Sequence, residues 1–167
     1  QVVDSQEERL SRADSGLKRD VPGLPALSSH ALIITGIRRC GKSTWLHQIH
    51  KSLSDPSLFL NFEDPRLSGF DMNDFNRLHE ICVDRGIETL LFDEIQNIEK
   101  WENFIRFRLD ENYRVYITGS NASMLSRELG TKLTGRHISR ELFPFSYNEY
   151  LEYKGQNPGP ESFNVYI

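Results

Sequence analysis

Short apolar runs alternate along this chain with longer stretches whose apolar positions recur every three or four residues. Ala31-Leu32-Ile33-Ile34-Thr35, Leu58-Phe59-Leu60-Asn61-Phe62, Thr89-Leu90-Leu91-Phe92 and Val115-Tyr116-Ile117 are runs of the first kind. Their length and their β-branched or aromatic content predict buried strands. His137 to Leu142 predicts a fifth. Between them, Trp45, Leu46, Ile49 and Leu53 share one face of a helix from Lys42 to about Leu53. Phe75, Leu78 and Cys82 do the same for Asp71 to Asp84, with Asp71 available as the cap. Trp101, Phe104, Ile105 and Leu109 mark a further helix, and a short one is predicted over about Ala122 to Leu129. Strands alternating with helices of this length imply a mostly parallel sheet with helices on both faces.

The two ends follow a different pattern. Residues 1–29 are polar, and Val3, Leu10 and Leu17 line one helical face before Pro22, Gly23 and Pro25 break the chain. From Tyr153 the chain passes through Gly155-Gln156-Asn157-Pro158-Gly159-Pro160, a stretch that reads as a connection. The predicted division is an N-terminal helical segment and connection over 1–29, a core over 30–153, and a linker over 154–167 toward a missing C-terminal region. The chain reads as a fragment of a longer protein.

Composition narrows the function classes. The chain has 167 residues, 38% hydrophobic and 26% charged, which suits one folded domain rather than a disordered one. No apolar run approaches the roughly 18 residues that span a bilayer, so no membrane partner is expected. The first ten residues lack the basic and apolar regions of a signal peptide. Two cysteines, Cys40 and Cys82, make neither a disulfide framework nor a metal set. A reducing cytoplasm is the expected compartment. A formal charge of −4 argues against a uniformly basic nucleic-acid-binding surface, although 20 Lys and Arg leave room for a local patch.

The strongest chemical signal is Gly36-Ile37-Arg38-Arg39-Cys40-Gly41-Lys42-Ser43, a G-x-x-x-x-G-K-S loop between an apolar strand and an amphipathic helix. Phosphate oxygens need several donors converging on one concave surface. A glycine-rich turn exposes backbone N–H groups without side chains in the way, and the helix N-terminus adds its dipole. Lys42 is placed to reach the β- and γ-phosphates of ATP, and the Ser43 hydroxyl to enter a Mg²⁺ shell. Thr44 adds a hydroxyl near the α-phosphate.

Two more strand ends carry polar groups toward the same crevice, where open α/β sheets bind ligands. Leu90-Leu91-Phe92 runs into Asp93 and Glu94. There Asp93 is expected to hold Mg²⁺, and Glu94 to orient or deprotonate an attacking water. Ile117-Thr118-Gly119 runs into Ser120 and Asn121, which read as γ-phosphate sensors or as plain helix caps. Asn61 reads either as an amide that restrains Glu94 or as part of a turn before Pro65. Arg38 and Arg39 lie inside the loop, facing phosphate, a neighbouring subunit or solvent. Arg136, in Leu133-Thr134-Gly135-Arg136, is a candidate arginine finger in cis or in trans. His47 and His50, one helical turn apart, have no carboxylate or cysteine to complete a metal set.

With these residues identified, the chain resembles the bacterial and archaeal AAA+-type ATPases in which the ATPase domain precedes a C-terminal, nuclease-like domain of unknown function. The resemblance is carried by ALIITGIRRCGKST, LFLNFEDPRL, TLLFDEIQNIEKWE, YITGSNASML and LTGRHISRELFPFSYNEYL, over about residues 31–151, with Arg19 in a matching upstream segment. It implies a three-layer P-loop NTPase fold with a five-stranded parallel sheet of order 5-1-4-3-2. In that family's terms Gly36, Gly41, Lys42, Ser43 and Thr44 are Walker A, Asp93 and Glu94 are Walker B, and Ser120 or Asn121 is sensor 1. A homo-oligomer, and nucleic acid through a missing C-terminal domain, are partners the sequence leaves open. The function expected is Mg-ATP hydrolysis coupled to an unknown client. A P-loop small-molecule kinase and a non-hydrolysing nucleotide switch are the alternatives.

Overall fold

The computed structural model describes residues 1–21, 23–120, 133 and 135–166. In chain order these form α1 (Val2–Arg12), β1 (Ala31–Thr35), α2 (Lys42–Ser52), β2 (Ser57–Asn61), α3 (Met72–Asp84), β3 (Thr89–Asp93), α4 (Trp101–Asp110), β4 (Arg114–Thr118), β5 (His137–Glu141), α5 (Tyr147–Lys154) and α6 (Pro160–Tyr166). The sheet order is β2-β3-β4-β1-β5, and every pairing is parallel. This is the expected order 5-1-4-3-2 seen from the other edge. The helix predicted over about 122–129 lies outside the described residues.

Period-two alternation along the strands divides the core in two. Ala31, Ile33, Leu58, Leu60, Leu90, Phe92, Val115 and Ile117 face α3 and α4, where Phe75 stacks on Phe104 at 4.4 Å between ring centroids. Leu32, Ile34, Phe59, Leu91 and Tyr116 face the opposite way, onto Trp45, Leu46 and Ile49 of α2. Burying each such side chain contributes about 1.5–3 kcal/mol, which is what locks strand register. Asp71 caps α3 as expected, in a reciprocal capping box with Asp74.

The N-terminal helix closes one edge of the sheet. On β2, an edge strand, Asn61 donates its N–H to Gln6 Oε1 at 2.8 Å, and its carbonyl accepts from Gln6 Nε2 at 3.2 Å. A single side-chain amide thus occupies hydrogen-bonding positions that an added strand would use. Arg85 of the α3 C-cap holds α1 in place through Asp4 and Glu7.

The helical face drawn through Val3, Leu10 and Leu17 is too long. α1 ends at Arg12, because Asp14 Oδ1 accepts from the Gly16 N–H at 3.1 Å and Gly16 adopts φ 63°. This turn carries Leu17 off the helix. At the other end, the segment over 154–167 carries a helix of its own. Pro160 starts α6, Tyr147 meets Phe163 edge-on at 5.3 Å, and Tyr166 Oη donates to the Phe145 carbonyl at 2.9 Å. No helix among the described residues is long and apolar enough to cross a membrane.

Candidate functional site

Parallel strands send all their carboxyl ends to one rim of the sheet, so Thr35, Asn61, Asp93 and Thr118 are neighbours there. β1 enters the loop at Gly36, whose φ is 146°. A Cβ at that position would lie 2.2 Å from the Leu142 carbonyl oxygen, so glycine is required by contact as well as by dihedral. The loop ends at Gly41 (φ 96°), the N-cap of α2, which supplies no capping side chain to the first amides of the helix. These donors border a cavity of about 610 Å³ lined by Arg38, Arg39, Gly41, Lys42, Ser43, Thr44, Glu63 and Glu94. Its character suits an anion: backbone N–H groups, the positive end of a helix, and basic side chains. Arg39 adopts φ 65°, and Arg38 reaches Glu63 at 3.4 Å on the exposed side. Cys40 is buried and does not line the cavity.

The acidic pair is wired to this loop. Ser43 Oγ donates to Asp93 Oδ1 at 3.0 Å, and Thr118 Oγ1 donates to the same oxygen. Thr118 Oγ1 also accepts from the Glu94 N–H at 3.0 Å, which helps hold Glu94 at φ 54°. The Lys42 ammonium lies 3.8 Å from Glu94 Oε1 and donates to the Gly36 and Ile37 carbonyls at 3.1 Å each. Glu94 Oε2 accepts from Ser120 Oγ at 2.9 Å and from Gln96 Nε2. Three strand ends, from β1, β3 and β4, therefore meet within one network.

Burial pushes the Asp93 carboxyl above its ordinary value, and the hydroxyls of Thr118 and Ser43 offset this in part. Asp93 Oδ2 is buried and has no hydrogen-bond partner among the described residues. A free carboxylate oxygen beside the Ser43 hydroxyl is a hard-oxygen donor set that fits Mg²⁺ shared with a phosphate. Among the described residues no cluster of three His, Cys, Asp or Glu would hold a metal unaided.

Lys42, Ser43, Asp93, Glu94 and Ser120 are thus brought together, while Asn121 lies outside the described residues. Arg136 is not. It directly precedes β5, at the amino rim of the sheet, its carbonyl accepts from the Ala31 N–H, and its guanidinium pairs with Asp110 at 2.6 Å. An arginine finger acting within the same chain is therefore corrected. The Asn61 side chain accepts from the Glu63 N–H at 2.7 Å, which is the turn alternative, and the amide on Glu94 belongs to Gln96. Gln96 and Thr118 join this network without a motif to announce them. Their signal was position: one stands two residues past an acidic pair, the other is the last residue of an adjoining strand.

Residues 28–151 match the model of a family described as an AAA domain. An uncharacterized protein of Methanocaldococcus jannaschii is 34% identical over 158 residues, 93% of this chain and 35% of that protein. One of Haemophilus influenzae is 37% identical over 132 residues, 73% of this chain and 33% of that protein. The chain thus spans about a third of the length of these relatives. A solved chain from work titled "Structural Basis for Katanin Self-Assembly" superposes with a TM-score of 0.52 at 15% identity, over 73% of this chain and 43% of that one. That likeness concerns the fold.

Proposed function

Since the chain belongs to the AAA domain family and has the fold of an AAA+-type P-loop ATPase domain, we propose that it binds Mg-ATP at Gly36–Thr44 and hydrolyses it to ADP and phosphate. The observation that carries this is the junction of Ser43, Asp93 and Glu94 on one rim, with an Asp93 oxygen beside the loop that has no partner among the described residues. Gly41, Lys42, Ser43 and Thr44 bind the phosphates, and Lys42 neutralises the β- and γ-oxygens. Ser43 and Asp93 would hold Mg²⁺, which supplies charge neutralisation between the phosphates when bound. Glu94 orients a water for attack on the γ-phosphorus and accepts its proton, and Ser120 with Asn121 senses the γ-phosphate. Arg38 and Arg39 lie where they add positive charge at the cavity mouth, and Arg136 serves a site on a second copy in a homo-oligomer.

We place the ATPase core at residues 30–153, after a helical segment and connection over 1–29, with 154–167 leading toward the remainder of a longer cytoplasmic protein whose client the hydrolysis drives. The test is phosphate release from Mg-ATP without any acceptor, together with ATP binding. Lys42→Ala should abolish binding. Glu94→Gln should keep binding and slow release by about 100-fold, the usual scale for losing a general base. Strict dependence on an acceptor would assign a kinase instead, and binding without release at any ATP concentration would assign a switch.

A further inference from the structure

Behind the nucleotide loop sits a buried arginine that the mechanism above does not use. Arg19 is 6% exposed and belongs to the segment between α1 and β1. Each of its nitrogens is committed. Nε donates to Glu149 Oε1 at 2.7 Å, Nη1 to the Cys40 carbonyl at 2.6 Å and Nη2 to the Phe143 carbonyl at 2.8 Å. The guanidinium also lies 5.0 Å from the Phe145 ring centre. Glu149 is equally engaged: its Oε1 accepts from the Asp20 N–H at 2.9 Å and its Oε2 from the Ser146 N–H at 2.8 Å, as part of the α5 capping box.

A clasp joining the N-terminal segment to the segment after β5 needs the bonds to Glu149 and Phe143 and nothing more. The third bond goes elsewhere, to the residue just before Gly41-Lys42. In a trans peptide unit the C=O and the following N–H point in opposite directions. Arg19 does not line the 610 Å³ cavity, whereas Gly41 does. A carbonyl held by Arg19 on the far side therefore sends the Gly41 N–H toward the cavity. Without that hold, the same peptide can rotate and present an oxygen to the phosphates, which would repel them. Gly41 also records the closeness of the approach: a Cβ there would lie 3.0 Å from Arg19 Nη1.

We infer that Arg19 is a positioning residue of the nucleotide loop, which fixes the Gly41 amide toward the phosphates and ties that orientation to Glu149. The inference rests on the proposed ATP-binding reading and deepens it. It makes the loop sensitive to whatever holds or moves α5, since the same guanidinium binds both. Glu149→Gln, which leaves Arg19 with a weaker anchor, should then weaken nucleotide binding in the same direction and by less.

The experiment measures ADP·Mg affinity by calorimetry for the whole chain, wild type against Arg19→Gln and Arg19→Lys. ¹⁵N spectra follow the Gly41 amide in each. The expected result is about 10- to 100-fold weaker binding for Arg19→Gln, the scale of a lost charge-assisted hydrogen bond, with partial rescue in Arg19→Lys. The downfield shift of the Gly41 proton on ADP binding should be present in wild type and lost in Arg19→Gln even at saturation, which a merely structural clasp would not cause. Should Arg19→Gln fail to fold, Arg19→Met/Glu149→Leu removes both buried charges and takes its place. Wild-type affinity in folded Arg19→Gln, or in the double variant that replaces it, overturns the inference alone, as does a wild-type Gly41 amide that ADP leaves unmoved. A wild type that binds no ADP overturns the ATP-binding reading as well.

Discussion

Replacing Thr118 with valine removes one oxygen from the centre of the site and nearly preserves shape. Thr118 is fully buried, and its hydroxyl donates to Asp93 Oδ1 while accepting from the Glu94 N–H. In the valine variant that N–H becomes a buried donor with no acceptor, at about 1–3 kcal/mol, and the Asp93 carboxylate loses a donor worth about 1.5–3 kcal/mol. The added methyl offsets part of this, so a net loss of roughly 2–4 kcal/mol is expected. For a chain of this size each kcal/mol moves the melting midpoint by about 2–4 °C, which gives a fall of roughly 5–15 °C. Urea unfolding at neutral pH, read by circular dichroism, measures it directly. Thr118→Ser is the control, since it keeps the hydroxyl and loses a methyl, for about 0.5–1.5 kcal/mol by analogy with Ile→Val. If serine destabilises as much as valine, packing rather than hydrogen bonding explains position 118, and the reasoning fails.

Three further outcomes follow from contacts already described. Gln6→Leu removes both bonds to the Asn61 backbone and should cost roughly 2 kcal/mol; hydrogen exchange at the Asn61 amide should speed up, and unchanged protection would contradict the edge-closing role. Gln96→Leu removes one of the two donors to Glu94 Oε2; kcat for ATP should change severalfold while KM stays within about twofold, because Gln96 does not line the cavity, and a change confined to KM would refute this. For Glu149, burial raises the carboxyl, but the Arg19 bond and the Ser146 and Asp20 amides outweigh it and hold it at about 2, against an ordinary 4.5. Its contribution to stability is therefore full above about pH 4.5 and lost as pH falls toward 2. Urea midpoints across that window should fall less steeply for Glu149→Gln than for wild type, and parallel curves would count against it.

The sheet was legible from Ala31–Ile34, Leu90–Phe92 and Val115–Ile117 because a strand buried on both faces must be apolar at every position, a pattern with few other meanings. The glycine loop and Asp93-Glu94 were legible because their chemistry demands specific residue types at adjoining positions. Long-range polar bonds were not. Nothing around Gln6 marks it as the partner of Asn61, 55 residues away, since a buried glutamine and a solvated one look alike in a polar helix. Arg19 was visible through family resemblance, without a role. Arg136 is the instructive case, because its place could have been deduced. A residue just before a parallel strand must fall at the amino rim, opposite a site built from carboxyl ends.

Glu94 sits in left-handed backbone, at φ 54°. For a residue with a Cβ this costs about 1–2 kcal/mol, whereas glycine occupies it freely and asparagine with less difficulty than most. A library randomised at position 94 therefore has two different winners. Sorted for resistance to heat or protease, it should drift to Gly and Asn; sorted for turnover of ATP, it should return Glu. The two selections pull one codon in opposite directions, and a variant improved by the first will be silent in the second.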